Sequence, residues 1–264
     1  MAGHVSGYAR GAARPVRRDR QPDPVLRRLP AAFWRALPVL LASGCALLVP
    51  TLLVGALFGP DSPVLALVVC AVGAPLLLVC VERLHAELFE RQEQAARPSW
   101  WRRARRAEAI VLPCGLAAAL SLIAAYAAAQ TASAMFSVAA AVGALAALVL
   151  ALLAIVALPL AAARPESTLR ATLLVACYAL LRSPLPALAV AAVGGALAWL
   201  GSSGLPGLTA IAPGLLAALA VGAAWPTVVR VGVDLPPLAP FSPRGGGAPL
   251  AEHSSSNPQQ RSTP

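Results

Sequence analysis

Glu82-Arg83-Leu84-His85 sets a carboxylate and an imidazole at the E-x-x-H spacing, which puts both on one face of a helix. Di-iron carboxylate bundles use that spacing. They need two such pairs and two further glutamates from facing helices, and this chain has one copy beside an apolar run. The plainer reading is a solvated helix end, supported by Glu87 and Arg91 at i,i+4, so no metal site is expected. His4 and His253 lie in polar terminal stretches without partners nearby in sequence. Cys45, Cys70, Cys80, Cys114 and Cys177 all lie within or beside apolar runs and form no C-x-x-C pair. They read as small packing residues, because a disulfide framework or zinc site calls for clustered thiols near water.

Within the apolar runs the polar side chains are Ser43, Thr51, Ser121, Tyr126, Ser137 and Thr209, none ionisable at neutral pH. Proton relays, ion pathways and substrate counter-ions in membranes usually rest on an ionisable group. Their sparseness argues against an ion-coupled transporter and an intramembrane protease. The chain has no P-loop, dinucleotide fingerprint, nucleophile elbow or kinase motif, and its one asparagine is Asn257. No enzymatic activity and no cofactor are expected, and an ATP-driven role would need another subunit.

The most informative polar stretch is Ser99-Trp100-Trp101-Arg102-Arg103-Ala104-Arg105-Arg106. Tryptophan favours the headgroup level, and arginines near an anionic leaflet contribute about 1 kcal/mol each. Trp100, Trp101, Arg102, Arg103, Arg105 and Arg106 are therefore the candidate anchoring residues. They are read as a short surface helix on anionic lipid leading into an apolar span, with docking of a cytoplasmic partner as the alternative.

The elements that must position these residues follow from composition. Hydrophobic residues make up 58% of the chain and charged residues 12%, about half the share in a soluble domain. Six stretches are long enough for the roughly 17–25 residues a spanning helix needs: 36–58, 63–81, 109–129, 136–160, 185–201 and 208–229. The fold class is thus all-α, a polytopic membrane bundle of six transmembrane helices plus a short interfacial helix. Residues 168–181 supply that last element, being short for a span and ending at Arg182-Ser183-Pro184. The rival reading is one long, kinked fifth helix. Ala139, Gly143, Ala147 and Ala151, and Gly214, Ala218 and Gly222, form small-residue stripes suited to close helix packing, or secondarily to a homo-oligomer.

All 21 basic residues are arginine. Eight fall in residues 1–35, seven in 82–108, three in 161–184 and three in 230–264. The intervening turns at 59–62, 130–135 and 202–207 contain none, so arginine alternates as six crossings require. The positive-inside rule then puts both termini and every arginine on the cytoplasmic side of a bacterial cytoplasmic membrane. The formal charge of +10 is a topology signal here, and no nucleic-acid partner is expected. Arg17 and Arg18 are followed by polar residues that do not suit a twin-arginine signal, so the first apolar helix is expected to act as its own insertion signal. Residues 1–30 and 231–264, rich in proline with arginine or with glycine and serine, read as disordered tails around a transmembrane domain at 31–230 with a cytoplasmic loop at 82–108.

Gly73-Ala74-Pro75 followed by a charged helix, Leu158-Pro159-Leu160-Ala161 followed by Arg182-Ser183-Pro184-Leu185, and Ile211-Ala212-Pro213-Gly214-Leu215-Leu216 together carry a likeness. In these places, spread over about residues 30–230, the chain resembles the YesL-like family of bacterial membrane proteins. It departs where that family has a phenylalanine-rich stretch, here Pro98-Ser99-Trp100-Trp101. The resemblance implies an accessory role beside carbohydrate-uptake systems and transfers no site residue. The expected function is a non-enzymatic accessory or scaffold subunit that meets membrane transport subunits, with a permease subunit for a small neutral solute as the alternative.

Overall fold

A computed structural model describes residues 23–59, 61–89, 99–202, 206–233 and 236–238. These fold into seven helices: α1 Asp23–Phe58, α2 Pro63–Leu88, α3 Trp100–Thr131, α4 Ala134–Ala163, α5 Leu169–Arg182, α6 Leu185–Ser202 and α7 Pro206–Arg230. Five of them, α1 to α4 and α7, are long and apolar enough to cross a membrane, and the α5–α6 pair makes a sixth if counted as one bent span. The protein is an all-α, multi-pass membrane bundle. Helix is dictated by the solvent, since a backbone in hydrocarbon must satisfy its own polar groups.

Local chemistry sets several boundaries. The Ser62 side chain accepts the Val64 N–H at 3.2 Å and Pro63 opens α2, where its missing N–H costs nothing. Gly59 takes φ 87° after α1, and Ala132 ends α3 in a left-handed conformation at φ 49°. Thr168 caps α5 by accepting the Ala171 N–H at 3.2 Å. Between α5 and α6 the chain turns by 97° at Ser183-Pro184, so the two are distinct helices that make either a surface helix with a short span or one sharply broken span. With α6 upright in a bilayer, a bend of 97° lays α5 along its surface.

Two expectations are corrected. The first helix starts at Asp23, inside the stretch read as a tail. Val25 is fully buried, and Leu26 and Leu29 lie over Gly222 of α7, so apolar contacts hold these first turns despite two arginines and Pro30. The expected surface helix at 99–106 is not separate either. It forms the first turns of α3, which runs unbroken for 32 residues, about 48 Å at 1.5 Å per residue, well over the roughly 30 Å of hydrocarbon. Residues 1–22 and 239–264, with the tail assignments made for them, lie outside the described residues, as do Arg91 and the rest of 90–98.

Close packing follows the small residues. A Cβ on Gly214 would stand 2.7 Å from Leu40 Cβ, and one on Gly222 3.1 Å from Leu29, so the α7 stripe lies against α1. Gly143 of α4 sits against Ser121 of α3, where an added Cβ would meet the serine Cβ at 3.0 Å. Gly115 of α3 sits closer still to Cys70 of α2, whose Cβ an added Cβ would meet at 2.6 Å. In lipid, where apolar burial drives little, such backbone approach is what joins helices. Two buried clusters result: one centred on Leu40, Leu84, Leu88 and Val221, the other on Val156, Ala176 and Val228.

Candidate functional site

The described interhelical contacts of charged side chains gather at the end of the bundle that carries the arginines. The reason lies in α3. At helical spacing Ala104, Ala107 and Ile110 are buried, and Arg103 and Arg106 share their face, so both guanidinium groups turn towards the protein. Arg105 falls on the opposite face and Arg102 on the flank one turn before Arg106; both are exposed, as are Trp100 and Trp101, the latter by 72%. The six candidate anchoring residues therefore divide: Trp100, Trp101, Arg102 and Arg105 look outward, while Arg103 and Arg106 make contacts within the bundle.

Arg103 Nη1 pairs with Glu82 Oε1 of α2 at 2.5 Å, and its guanidinium carbon lies 5.6 Å from the Trp100 ring centre. Arg106 clamps the α4–α5 turn. Its Nη1 donates to the carbonyls of Pro165 at 3.1 Å and Arg164 at 3.4 Å, and its Nη2 donates to Ser167 Oγ at 2.9 Å and to Thr172 Oγ1. The receiving groups are themselves tied together. Ser167 Oγ donates to the Arg164 carbonyl at 2.8 Å, Ser167 and Thr172 hydroxyls are 3.0 Å apart, and Thr172 is buried. The Nε–H groups of Arg103 and Arg106 are buried with no acceptor. Between α2, α3 and the α4–α5 turn lies a cleft of about 260 Å³, lined by Glu82, Arg102, Arg103, Arg106, Glu166 and Ser167 over an apolar floor that includes Leu78 and Leu158.

Glu82 and His85, the E-x-x-H pair, do not converge. Glu82 faces Arg103, whereas His85 is buried against α7, where Trp225 Nε1 donates to its Nε2 at 3.4 Å and the Phe89 ring packs at 5.3 Å. Arg83 and Glu87 form an i,i+4 pair at 2.8 Å. Phe89 is also bridged by Leu238 beyond α7, bringing the last described residues to the same end. Among the described residues no group of three or more histidine, cysteine or acidic side chains comes together, and the five cysteines are free.

Within the helices Thr51 donates to the Leu47 carbonyl and Ser121 to Ala140 across the α3–α4 contact, while Ser137 in the exposed first turn of α4 donates to Ser133. Ser43 is buried and Tyr126 is exposed by 69%, while the Thr209 side chain lies outside the described residues. Thr227, absent from the sequence reading, is buried and donates to Ala223 at 2.7 Å. Sequence reasoning also missed Glu82 as an arginine partner, together with Ser167 and Thr172. The i,i+3 spacing of Arg103 and Arg106 in register with Ala107 and Ile110 was the available signal. No protein-family model, curated protein or solved structure matches the chain.

Proposed function

We propose that this membrane protein is a non-enzymatic accessory or scaffold subunit, with its arginine-bearing end at the cytoplasmic face and held there by Trp100, Trp101, Arg102 and Arg105 on anionic lipid. The observation that carries the reading is the distribution of polar chemistry. The hydroxyls of Thr51, Ser121 and Thr227 inside the helices donate to backbone carbonyls, and the interhelical ion pair and the arginine clamp lie at one end, where they lock α2, α3, α4 and α5 together. Such an arrangement favours a rigid body with an adhesive end over a pathway through its middle. The YesL-like resemblance directs the search for a partner to sugar importers.

A second reading, a permease subunit for a small neutral solute, draws on the break between α5 and α6, because discontinuous helices build sites in transporters. Co-purification from native membranes in mild detergent, with mass spectrometry of the companions, tests the choice. Stoichiometric recovery of transport subunits supports the accessory role. Recovery of the chain alone, together with solute flux in liposomes containing nothing else, overturns it in favour of the permease.

A further inference from the structure

We infer that the cleft between α2, α3 and the α4–α5 turn binds a phosphate group, a site that shares only Arg102 with the outward anchoring face. Three guanidinium groups line it against two carboxylates, and one of those, Glu82, is already held by Arg103. The cleft thus keeps a surplus of positive charge over a floor made partly of Leu78 and Leu158. An acceptor-rich anion answers that surplus. Arginine forks match the oxygens of phosphate in pairs, with charge-assisted hydrogen bonds about twice as strong as neutral ones. Arg102 is exposed at the cleft with no ion-pair partner among the described residues.

Size supports the class. A volume of about 260 Å³ falls just under the roughly 300 Å³ at which sites for drug-sized molecules begin, and it admits a phosphate with its immediate substituent but no acyl chain. The group would come from a lipid headgroup or from a soluble phosphate compound. This inference does not depend on the accessory role: of the anchoring residues only Arg102 lines the cleft, while Trp100, Trp101 and Arg105 do not.

The test uses the full chain in neutral detergent. Native mass spectrometry and thermal stability are measured against added phosphatidylglycerol, with phosphatidylcholine as control, and against inorganic phosphate, with chloride at equal ionic strength. Arg102→Gln and Glu166→Gln change exposed cleft residues and leave the interhelical bonds in place, so both are expected to fold. Arg102→Gln should weaken binding about tenfold, Arg102→Lys should restore part of it, and Glu166→Gln should tighten it. Arg170→Gln, which removes the same charge from an exposed residue outside both the cleft and the anchoring face, should leave it unchanged. Saturation by phosphatidylglycerol but not by phosphate, with this pattern, supports the site and assigns it to a headgroup. Saturation by inorganic phosphate with the same pattern supports it and assigns it to a soluble compound. Equal weakening by Arg102→Gln and Arg170→Gln, or no response to either ligand, overturns the inference.

Discussion

Arg106 shows how much one side chain does at this bundle's end. Three acceptors from the α4–α5 turn and one from α5 converge on two of its nitrogens, and Arg103 joins α3 to α2 in the same layer. Replacing Arg106 by alanine leaves the Pro165 carbonyl and the buried Thr172 hydroxyl short of a donor, partly relieved by the Ser167–Thr172 contact. The expected cost is about 2 kcal/mol, or about 4–8 °C in a detergent melting curve; Arg106→Lys, which keeps charge but loses the fork, should fall between. Glu82→Gln should cost less, about 1 kcal/mol, since its pair with Arg103 stays partly open to water at 21% and 24% exposure. A double-mutant cycle with Arg103→Gln should recover most of that loss as coupling energy. Neither arginine's inward turn is visible in composition, which shows only a basic run. It appears once the helix is known to continue through Trp100, because the register then aligns 103 and 106 with buried Ala107 and Ile110.

At the level of helices, the legible and illegible parts separate by mechanism. Hydropathy located the apolar middle of each span, and the turn at Ser183-Pro184 was readable from its proline. Helix ends were not, because a membrane helix that leaves hydrocarbon stays helical as long as packing continues. α2 runs on to Leu88 under α7, and α1 begins at Asp23 on the strength of Val25 and Leu29. Which alanine and glycine stripes touch was equally hidden, since small residues are everywhere in the spans. The contacts give a sharp contrast. Gly214→Ala forces its Cβ to within 2.7 Å of Leu40 Cβ and should destabilise by about 1–3 kcal/mol. Gly44→Ala, aimed at the backbone carbonyl of Ala210, should be worse because backbone yields less than a side-chain tip. Gly195→Ala in α6, with nothing within 4 Å of the new Cβ, should be neutral or stabilise by about 0.5 kcal/mol through helix propensity. Thermal melts of the three variants in one detergent check the order.

For the molecule as a whole, the structure brings the described arginine-bearing segments to one end. Arg103 meets Glu82, Arg106 meets the α4–α5 turn, Arg230 donates to Ser183, and Leu29 lies beside Gly222. Total segregation of this kind is what the positive-inside rule acts on during insertion. Cysteine labelling in intact cells, on a background with the five native cysteines replaced, should therefore find Asp61→Cys and Ser133→Cys open to an impermeant reagent from outside. Ser167→Cys should react only after the membrane is opened. The reverse pattern would invert the proposed orientation.

The Trp225 indole, packed at 5.3 Å on Phe89 and bonded to His85, is 2% exposed. The other four tryptophans range from 39% to 72% exposure. The protein consequently carries a built-in optical probe. With Trp34, Trp100, Trp101 and Trp199 changed to phenylalanine, the remaining emission comes from the junction of α2, α7 and the chain near Leu238, shielded from brominated lipid and from iodide alike. Any partner that pries this junction apart would announce itself as a red shift and new quenching, without a label being attached.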